Sequence, residues 1–151
     1  MKKVAQFPRL TKATLILCLS TVFIYACQNN SVDKNDTKTL YRAINKNDTA
    51  TFKIKLTDKE FYGQLEINYH NAYKDSGNVT GIVKGDTLKG TYRFRHYGIE
   101  TWHSIPIALL KKDEKLIMGQ GDMEIYMNMR YFKKNAPINY QNPKFVFEKM
   151  H

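Results

Sequence analysis

The chain has 151 residues, with 24 basic and 14 acidic side chains and only two cysteines. This length accommodates one domain, and a hydrophobic fraction of 42% is enough for a packed core, which excludes an intrinsically disordered protein. Two cysteines are too few for a framework of several disulfides or for a four-thiolate zinc cluster.

The first segment, residues 1–26, differs in kind from the rest of the chain. It contains four basic side chains and no acidic one, and it continues into a 14-residue apolar run from Ala13 to Ala26. A run of this length is typical of a secretory signal peptide and is short of the ~20 residues with which a helix crosses a bilayer. The segment is therefore predicted to be a signal peptide.

The end of the apolar run resembles the lipobox of bacterial lipoproteins. The sequence Ile24-Tyr25-Ala26-Cys27 places a branched apolar residue, a variable residue and a small residue before a cysteine. In that family the cysteine sulfur receives diacylglycerol, the signal is removed just before the cysteine, and the new amino group is acylated. The resemblance implies that Cys27 is the lipidation site and that residues 1–26 are a lipoprotein signal peptide.

The resemblance also implies a location in the cell envelope. Two or more acyl chains anchor a protein to a membrane for practical purposes permanently. Residue 28 is Gln, whereas the best-known sorting rule retains lipoproteins with Asp at this position in the inner membrane, so the outer membrane is favoured. Cys18 leaves with the signal and Cys27 is alkylated, so we expect no free thiol in the mature chain.

Residues 27–39 are predicted to be a lipidated flexible tether, because they are polar and contain Val32 as their one large apolar side chain. Residues 27–151 carry 20 basic and 14 acidic side chains, which is a net charge of +6. No run of Lys and Arg in this part exceeds two residues, so we interpret the charge as a solvated surface and expect no nucleic-acid partner.

Alternation of apolar and polar residues dominates the chain from residue 40 onward. Phe52, Ile54 and Leu56 alternate with lysines, and Gly85-Asp86 is a tight-turn signal between two strand patterns. No stretch sustains the spacing of an amphipathic helix. About nine candidate strands result, namely a first one from residue 40 and then 52–56, 61–69, 79–84, 88–96, 105–109, 116–118, 123–132 and 144–147.

The spacing of these strands predicts the fold of residues 40–151. Turn signals recur roughly every 8–12 residues and the connections are hairpin-short, which favours an all-β meander. We predict a single antiparallel barrel of about eight to nine strands, lipocalin-like in shape, because closure removes exposed sheet edges. An open roll or a β-sandwich is the alternative. The early glycine and tryptophan signature of true lipocalins is absent, so the shape is argued from the pattern alone.

Two histidines flank the turn from Tyr97 to Trp102. His96 and His103 are expected to face each other across a hairpin, where Glu100 is the candidate for a third metal ligand. Metal sites in proteins need more convergent ligands than this, so we predict hydrogen-bonded histidines at the ends of strands and no bound metal.

Methionines are concentrated in the later part of the chain. Four of them lie between residues 118 and 129, and Met127 and Met129 share one face of the predicted strand 123–132. Thioethers bind Cu(I), and flexible methionine side chains also line adaptable apolar pockets, but core filling is their commonest role. We interpret these two residues as core or pocket lining.

Signatures of hydrolytic enzymes are missing from the sequence of residues 27–151. Its serines are Ser31, Ser76 and Ser104, and none lies in a G-x-S-x-G turn. Gly119 and Gly121 precede no helical pattern of the kind that a phosphate-binding loop requires. We predict no catalytic residues, no cofactor and no enzymatic activity, and an enzyme is the third alternative after two kinds of binding protein.

The first kind binds a small apolar or amphiphilic ligand inside the barrel, with Tyr92, Phe94, Met127 and Met129 as candidate wall residues. The second is a protein-interaction or envelope-assembly module that uses an aromatic and basic outer face. The side chains expected on that face are Tyr62, Tyr73, Lys89, Arg93, Arg95, Tyr97, Trp102 and Tyr131.

Overall fold

The computed structural model describes residues 37–151. The predicted signal peptide, the lipidation site Cys27 and most of the predicted tether lie outside the described residues. Within residues 37–151 no helix is long and apolar enough to span a membrane. The described chain forms ten strands: β1 Thr39–Asn45, β2 Asp48–Leu56, β3 Glu60–Tyr69, β4 Tyr73–Lys84, β5 Thr87–His96, β6 His103–Lys112, β7 Lys115–Met118, β8 Met123–Tyr126, β9 Met129–Phe132 and β10 Val146–Lys149.

Eight of these strands form a closed antiparallel barrel. Strands β1 to β7 follow one another as a meander, and β10 pairs with both β7 and β1 to close the sheet. The prediction of a closed all-β meander barrel is confirmed, and neither the open roll nor the sandwich forms. Strands β8 and β9 make a separate two-stranded hairpin between β7 and β10.

Alternation along each strand decides which side chains enter the barrel. In β3, Phe61, Leu65 and Ile67 are buried, while Gln64 and Glu66 between them are exposed. This happens because successive side chains of a strand point to opposite faces of the sheet. The apolar and polar residues that alternate in the sequence of β2 lie on the inner and outer faces of the barrel, and β3 and β5 show the same alternation.

The inward-facing side chains form one hydrophobic cluster that fills the barrel. Phe52 and Phe147 meet edge to face with ring centroids 5.7 Å apart, and Tyr92 stacks on Phe94 at 4.7 Å. The Tyr92 hydroxyl donates a hydrogen bond of 3.1 Å to the carbonyl of Leu65. The largest fully buried side chains are Phe52, Ile54, Phe61, Leu65, Val79, Leu88, Tyr92, Leu109, Leu116, Phe145 and Phe147.

Glycines allow β4 and β5 to approach and bend. Gly81 lies directly opposite Gly90 in the register of these strands. A Cβ atom added to Gly90 would lie 2.1 Å from the carbonyl oxygen of Thr80, well inside van der Waals contact. Side-chain-free positions of this kind are where a sheet can turn a barrel corner.

Two strand predictions are wrong in their bounds. Strand β4 begins at Tyr73 and not at residue 79, because the alternation continues back through Gly77 and Asp75. Residues 123–132 are not one strand: Met127 and Asn128 have φ values of 48° and 61° and form the turn between β8 and β9. Two consecutive left-handed residues reverse the chain even though neither is glycine.

Differences also occur at the ends of other strands, among them β2, which begins at Asp48, and β6, which runs from His103 to Lys112. Strand β10 begins at Val146, later than predicted, and Thr39, which was assigned to the tether, is the first residue of β1. Pro106 lies within β6 opposite Thr91 of β5, while the pairing of β6 with β7 begins only at Leu109. Proline is accommodated there because that part of β6 is at the edge of the β6–β7 ladder.

Candidate functional site

One end of the barrel, which we call the upper rim, holds a buried carboxylate. The upper rim is formed by the turn between β3 and β4, the end of β5 and the start of β6. Asp75 is only 4% exposed and is the buried charged side chain among residues 37–151. Nδ1 of His96 donates a short hydrogen bond to its carboxylate. This partner offsets the cost of removing the charge from water.

Two tyrosines, Tyr69 at the end of β3 and Tyr92 in the barrel core, have raised pKa values to which this carboxylate contributes. Burial raises the pKa of Tyr69 above the ordinary value, and the charge of Asp75 and a hydrogen bond to it raise it further. Burial, followed by the charge of Asp75, likewise raises the pKa of Tyr92. Both phenols are therefore protonated hydrogen-bond donors over the whole range in which the protein would normally operate.

The two predicted histidines do meet at the upper rim. The ring centroids of His96 and His103 are 4.9 Å apart, and Phe94 lies 5.5 Å from each. This confirms that they face each other across the hairpin of β5 and β6, and His96 is hydrogen-bonded as expected. Across residues 37–151, no group of three or more His, Cys, Asp or Glu side chains is arranged to hold a metal ion.

A groove of about 800 Å³ lies on the outer face of the barrel beside this rim. Its floor consists of exposed side chains that alternate with the buried core residues of β2 to β5. The loop between β5 and β6, from Tyr97 to Trp102, forms one wall. We call this the outer groove. Its floor includes Thr51, Lys53, Gln64, Glu66, Lys74, Ser76, Asn78 and Arg95.

Trp102 is held in the wall of the outer groove by two arginines. The guanidinium carbons of Arg93 and Arg95 each lie 4.7 Å from the centroid of the Trp102 ring system. Arg93 and Arg95 are two residues apart on β5, so both point outward and reach the same ring. Cation–π contacts of this kind fix the ring while leaving the Trp102 side chain 45% exposed.

The outer groove carries polar groups of both signs with an excess of positive charge. Lys74 and Glu66 form an ion pair with Nζ and Oε1 3.4 Å apart, and both side chains are partly exposed. Lys53 and Arg95 add two further cations, and Glu100 adds one further anion. Hydroxyl and amide groups line the floor between them. The arrangement suits a polar ligand that carries negative charge.

The four predicted wall residues are not brought together. Tyr92 and Phe94 stack on each other in the barrel core, where both are buried. Met127 is in the hairpin turn and Met129 begins β9, and both side chains are exposed. The difference arises because the chain reverses at residues 127 and 128, which takes the methionines out of the barrel sheet. Lipidation at Cys27 stays a prediction.

Part of the predicted aromatic and basic outer face is brought together, namely Tyr97, Trp102 and the two arginines. Tyr131 lies on β9, outside the outer groove. Sequence reasoning missed Asp75, because the predicted strand began only at residue 79 and Asp75 was not singled out. The alternation of the strand could have revealed it, because Asp75, Gly77 and Val79 are two residues apart and share the inward face of β4.

The fold and the outer groove define a class, a small closed eight-stranded antiparallel β-barrel with a polar, aromatic-walled groove on its outer face. Comparison with models of known protein families gave no match, and neither the curated proteins nor the solved structures gave one.

Proposed function

We propose that this chain is a lipid-anchored binding protein of the bacterial cell envelope, whose outer groove binds an acidic saccharide. The observation that carries the proposal is the pairing of a partly exposed tryptophan with basic side chains along one polar groove. The proposal is for binding without catalysis. Membrane attachment is through Cys27, supported by the resemblance of Ile24-Tyr25-Ala26-Cys27 to a lipobox.

The aromatic wall supports a saccharide ligand. Sugars present apolar C–H faces between polar hydroxyl edges, so they match a flat ring bordered by hydrogen-bonding groups. Trp102 supplies the ring, and Gln64, Ser76 and Asn78 on the floor supply amide and hydroxyl groups. Aromatic side chains with polar neighbours of this kind give large contact area at low cost in conformational entropy.

The basic side chains support an acidic ligand. Arg95 lies at the tryptophan and Lys53 lies on the floor of the same groove. Lysine and arginine bind carboxylates through charge-assisted hydrogen bonds, which are stronger than those between neutral groups. The net charge of +6 on residues 27–151 adds a long-range attraction for an anionic polymer.

The filled core favours the outer groove over the barrel interior as the ligand site. A carrier of apolar ligands needs an unfilled apolar cavity on the order of 300 Å³ or more. Here Phe52, Tyr92 and Phe147 are almost completely buried and in ring contact with neighbouring aromatic side chains. Their mutual contacts are those of a packed core, whereas the outer groove is accessible to solvent.

The fluorescence of Trp102 tests the proposal directly, because it is the single tryptophan of the chain. Purified full-length protein in detergent is titrated with oligogalacturonate and, in parallel, with neutral maltooligosaccharide. We expect a saturable change in the Trp102 emission with oligogalacturonate and no change with maltooligosaccharide. Lys53→Gln should weaken binding by about tenfold, as expected for the loss of one charge-assisted hydrogen bond. Equal responses to both sugars, or none, would contradict the proposal.

Lys134→Gln is the matched control for this titration. It removes the same charge from an exposed residue outside the residues that line the outer groove. If both variants weaken binding equally, the attraction is general and not located in the outer groove. The anchor is tested separately by labelling cells with a radioactive fatty acid, where Cys27→Ser should abolish incorporation into the protein.

A further inference from the structure

The hairpin of β8 and β9 exposes apolar side chains in a concentration found nowhere else among residues 37–151. Ile125 is 72% exposed and Met127 at the turn is 78% exposed. Single exposed apolar residues are ordinary on protein surfaces, but a contiguous group marks a contact site. The exposed large apolar side chains of this hairpin are Met123, Ile125, Tyr126, Met127, Met129 and Tyr131.

Both faces of this hairpin carry an exposed apolar side chain near its tip, and Arg130 shares one of these faces with Ile125. Tyr126 pairs with Met129 across the strands and Ile125 pairs with Arg130. Cross-strand partners share a face and neighbouring residues alternate, so Tyr126 and Met129 lie on one face and Ile125 on the other. A protein partner docking on a sheet would cover one face. A tip with exposed apolar side chains on both faces suits an apolar environment that surrounds it.

Charged side chains flank the tip of the hairpin and lie along its base. Residues 125–129 carry no charge, Glu124 and Arg130 flank them on the two strands, and Asp122, Lys133 and Lys134 lie nearer the barrel. Nζ of Lys133 is 3.6 Å from Oδ2 of Asp122, and the Lys133 amide donates a 2.8 Å hydrogen bond to the Asp122 carbonyl. These contacts close the base of the hairpin, so its tip is presented on a defined support.

We infer that the hairpin tip inserts into the interfacial region of an anionic lipid bilayer and gives the protein a second, non-covalent membrane contact. Apolar and aromatic side chains next to basic ones are the composition of segments that lie in such an interface. The net charge of +6 complements anionic headgroups. A bilayer surrounds an inserted tip, which explains why both faces carry exposed apolar side chains.

The length of chain between the predicted lipid anchor and β1 makes this contact feasible, and to that extent the inference rests on the proposed function. Only 11 residues separate Cys27 from the first residue of β1, Thr39. Fully extended, that length of chain spans at most about 40 Å. A domain held this close to a membrane meets lipid headgroups at high effective concentration, so a weak hairpin contact would be occupied much of the time.

Quenching by lipids tests the inference. The full-length chain is reconstituted into vesicles of phosphatidylethanolamine and phosphatidylglycerol whose acyl chains carry bromine, which quenches nearby tryptophan. Met127→Trp is made in a Trp102→Phe background, so that one tryptophan reports from the tip. Ile82→Trp in the same background is the matched control, since Ile82 is an exposed apolar residue on β4. We expect at least twofold stronger quenching for the tip reporter than for the control.

Three outcomes separate the inference from the proposal on which it rests. Strong quenching at the tip that falls when phosphatidylcholine replaces phosphatidylglycerol supports insertion into an anionic surface. Protein that floats with the vesicles but shows equal quenching at both positions overturns the hairpin contact, leaves the lipid anchor standing and favours a protein partner for the hairpin. Protein that does not float with the vesicles at all overturns both.

A pair of variants gives an independent readout. In the Met127→Trp reporter, Ile125→Ser removes an apolar side chain from the tip and should lower lipid quenching by at least half. Ile44→Ser, at an exposed apolar residue of β1, should leave it unchanged. Equal quenching in both variants would overturn the inference.

Discussion

The imidazole of His96 is hydrogen-bonded to the carboxylate of Asp75, which joins the end of β5 to the start of β4 at the upper rim. The next residue, Tyr97, begins the loop that forms the wall of the outer groove, and its amide donates a 2.7 Å hydrogen bond to the carbonyl of Lys74. The hydrogen bond between His96 and Asp75 therefore helps to hold the start of the wall in place. Asp75 inside the barrel is therefore coupled to the outer groove through two adjacent residues, His96 and Tyr97.

Removing His96 should destabilise the barrel. His96→Ala removes one of the hydrogen-bond partners of the buried Asp75 carboxylate and leaves Tyr69 as the other, and since His96 itself is about one-third exposed we expect a loss of about 1–3 kcal/mol in the free energy of unfolding. Urea denaturation followed by circular dichroism measures it. His70→Ala, at an exposed histidine of the β3–β4 turn, is the control, and similar losses in both variants would show that the pair with Asp75 is unimportant.

The protein should lose stability in alkaline solution. The folded-state pKa values of Tyr69 and Tyr92 lie above the unfolded value of 10.0, mainly because the phenols are buried. The folded state then holds these protons when the unfolded state has released them. Their stabilising contribution is complete below pH 10 and is lost as the pH rises above it. Urea denaturation at a series of increasing pH values should show that the free energy of unfolding falls above pH 10.

Tyr92→Phe should make that alkaline loss less steep. The variant removes one phenol and also the hydrogen bond to the Leu65 carbonyl, so at neutral pH it should be less stable by about 1 kcal/mol. Tyr126→Phe, at an exposed tyrosine of the hairpin, is the control and should follow the wild-type pH curve. If the stability of Tyr92→Phe fell as steeply with pH as that of the wild type, Tyr92 would not be a source of the alkaline loss.

A methyl group at Gly77 should be poorly tolerated. The added Cβ atom of Gly77→Ala would lie 2.0 Å from the carbonyl oxygen of Arg93 on the adjacent strand, and backbone must move to accommodate it. We expect a loss of at least about 2 kcal/mol in the free energy of unfolding. Ser76→Ala, at the exposed neighbour, should change stability by less than about 0.5 kcal/mol. Thermal melts of the two variants compare them.

Polar substitutions at the hairpin tip should leave stability unchanged. Ile125 and Met127 are mostly exposed, so Ile125→Ser and Met127→Ser remove little buried area and should each change the free energy of unfolding by less than about 0.5 kcal/mol. Phe147→Ala, in the barrel core, should cost about 3–5 kcal/mol by comparison. Large losses at the tip would show that these side chains serve the fold and not a surface contact.

Most of the fold could be predicted from local pattern, whereas the candidate site could be predicted only in part. Strand β3 was clear because ten consecutive residues alternate without interruption. The turn at Met127 and Asn128 was hidden because two left-handed residues without glycine carry almost no local signal. The sequence analysis included Arg93, Arg95 and Trp102 in the predicted outer face. Nothing in their spacing predicts that the loop folds back onto the outer face of β5.

The sequence by itself determined which side chains face the interior, since the period of a strand is two residues and each alternation has one buried parity. It also determined the meander order of the strands, since short connections leave little choice of neighbour. Only the tertiary structure decided that β10 returns to close the barrel, that Asp75 meets His96 across 21 residues, and that Trp102 stands over two arginines. Such contacts depend on the coiling of the sheet and on the position of each loop. Both are determined by the packing of the whole core.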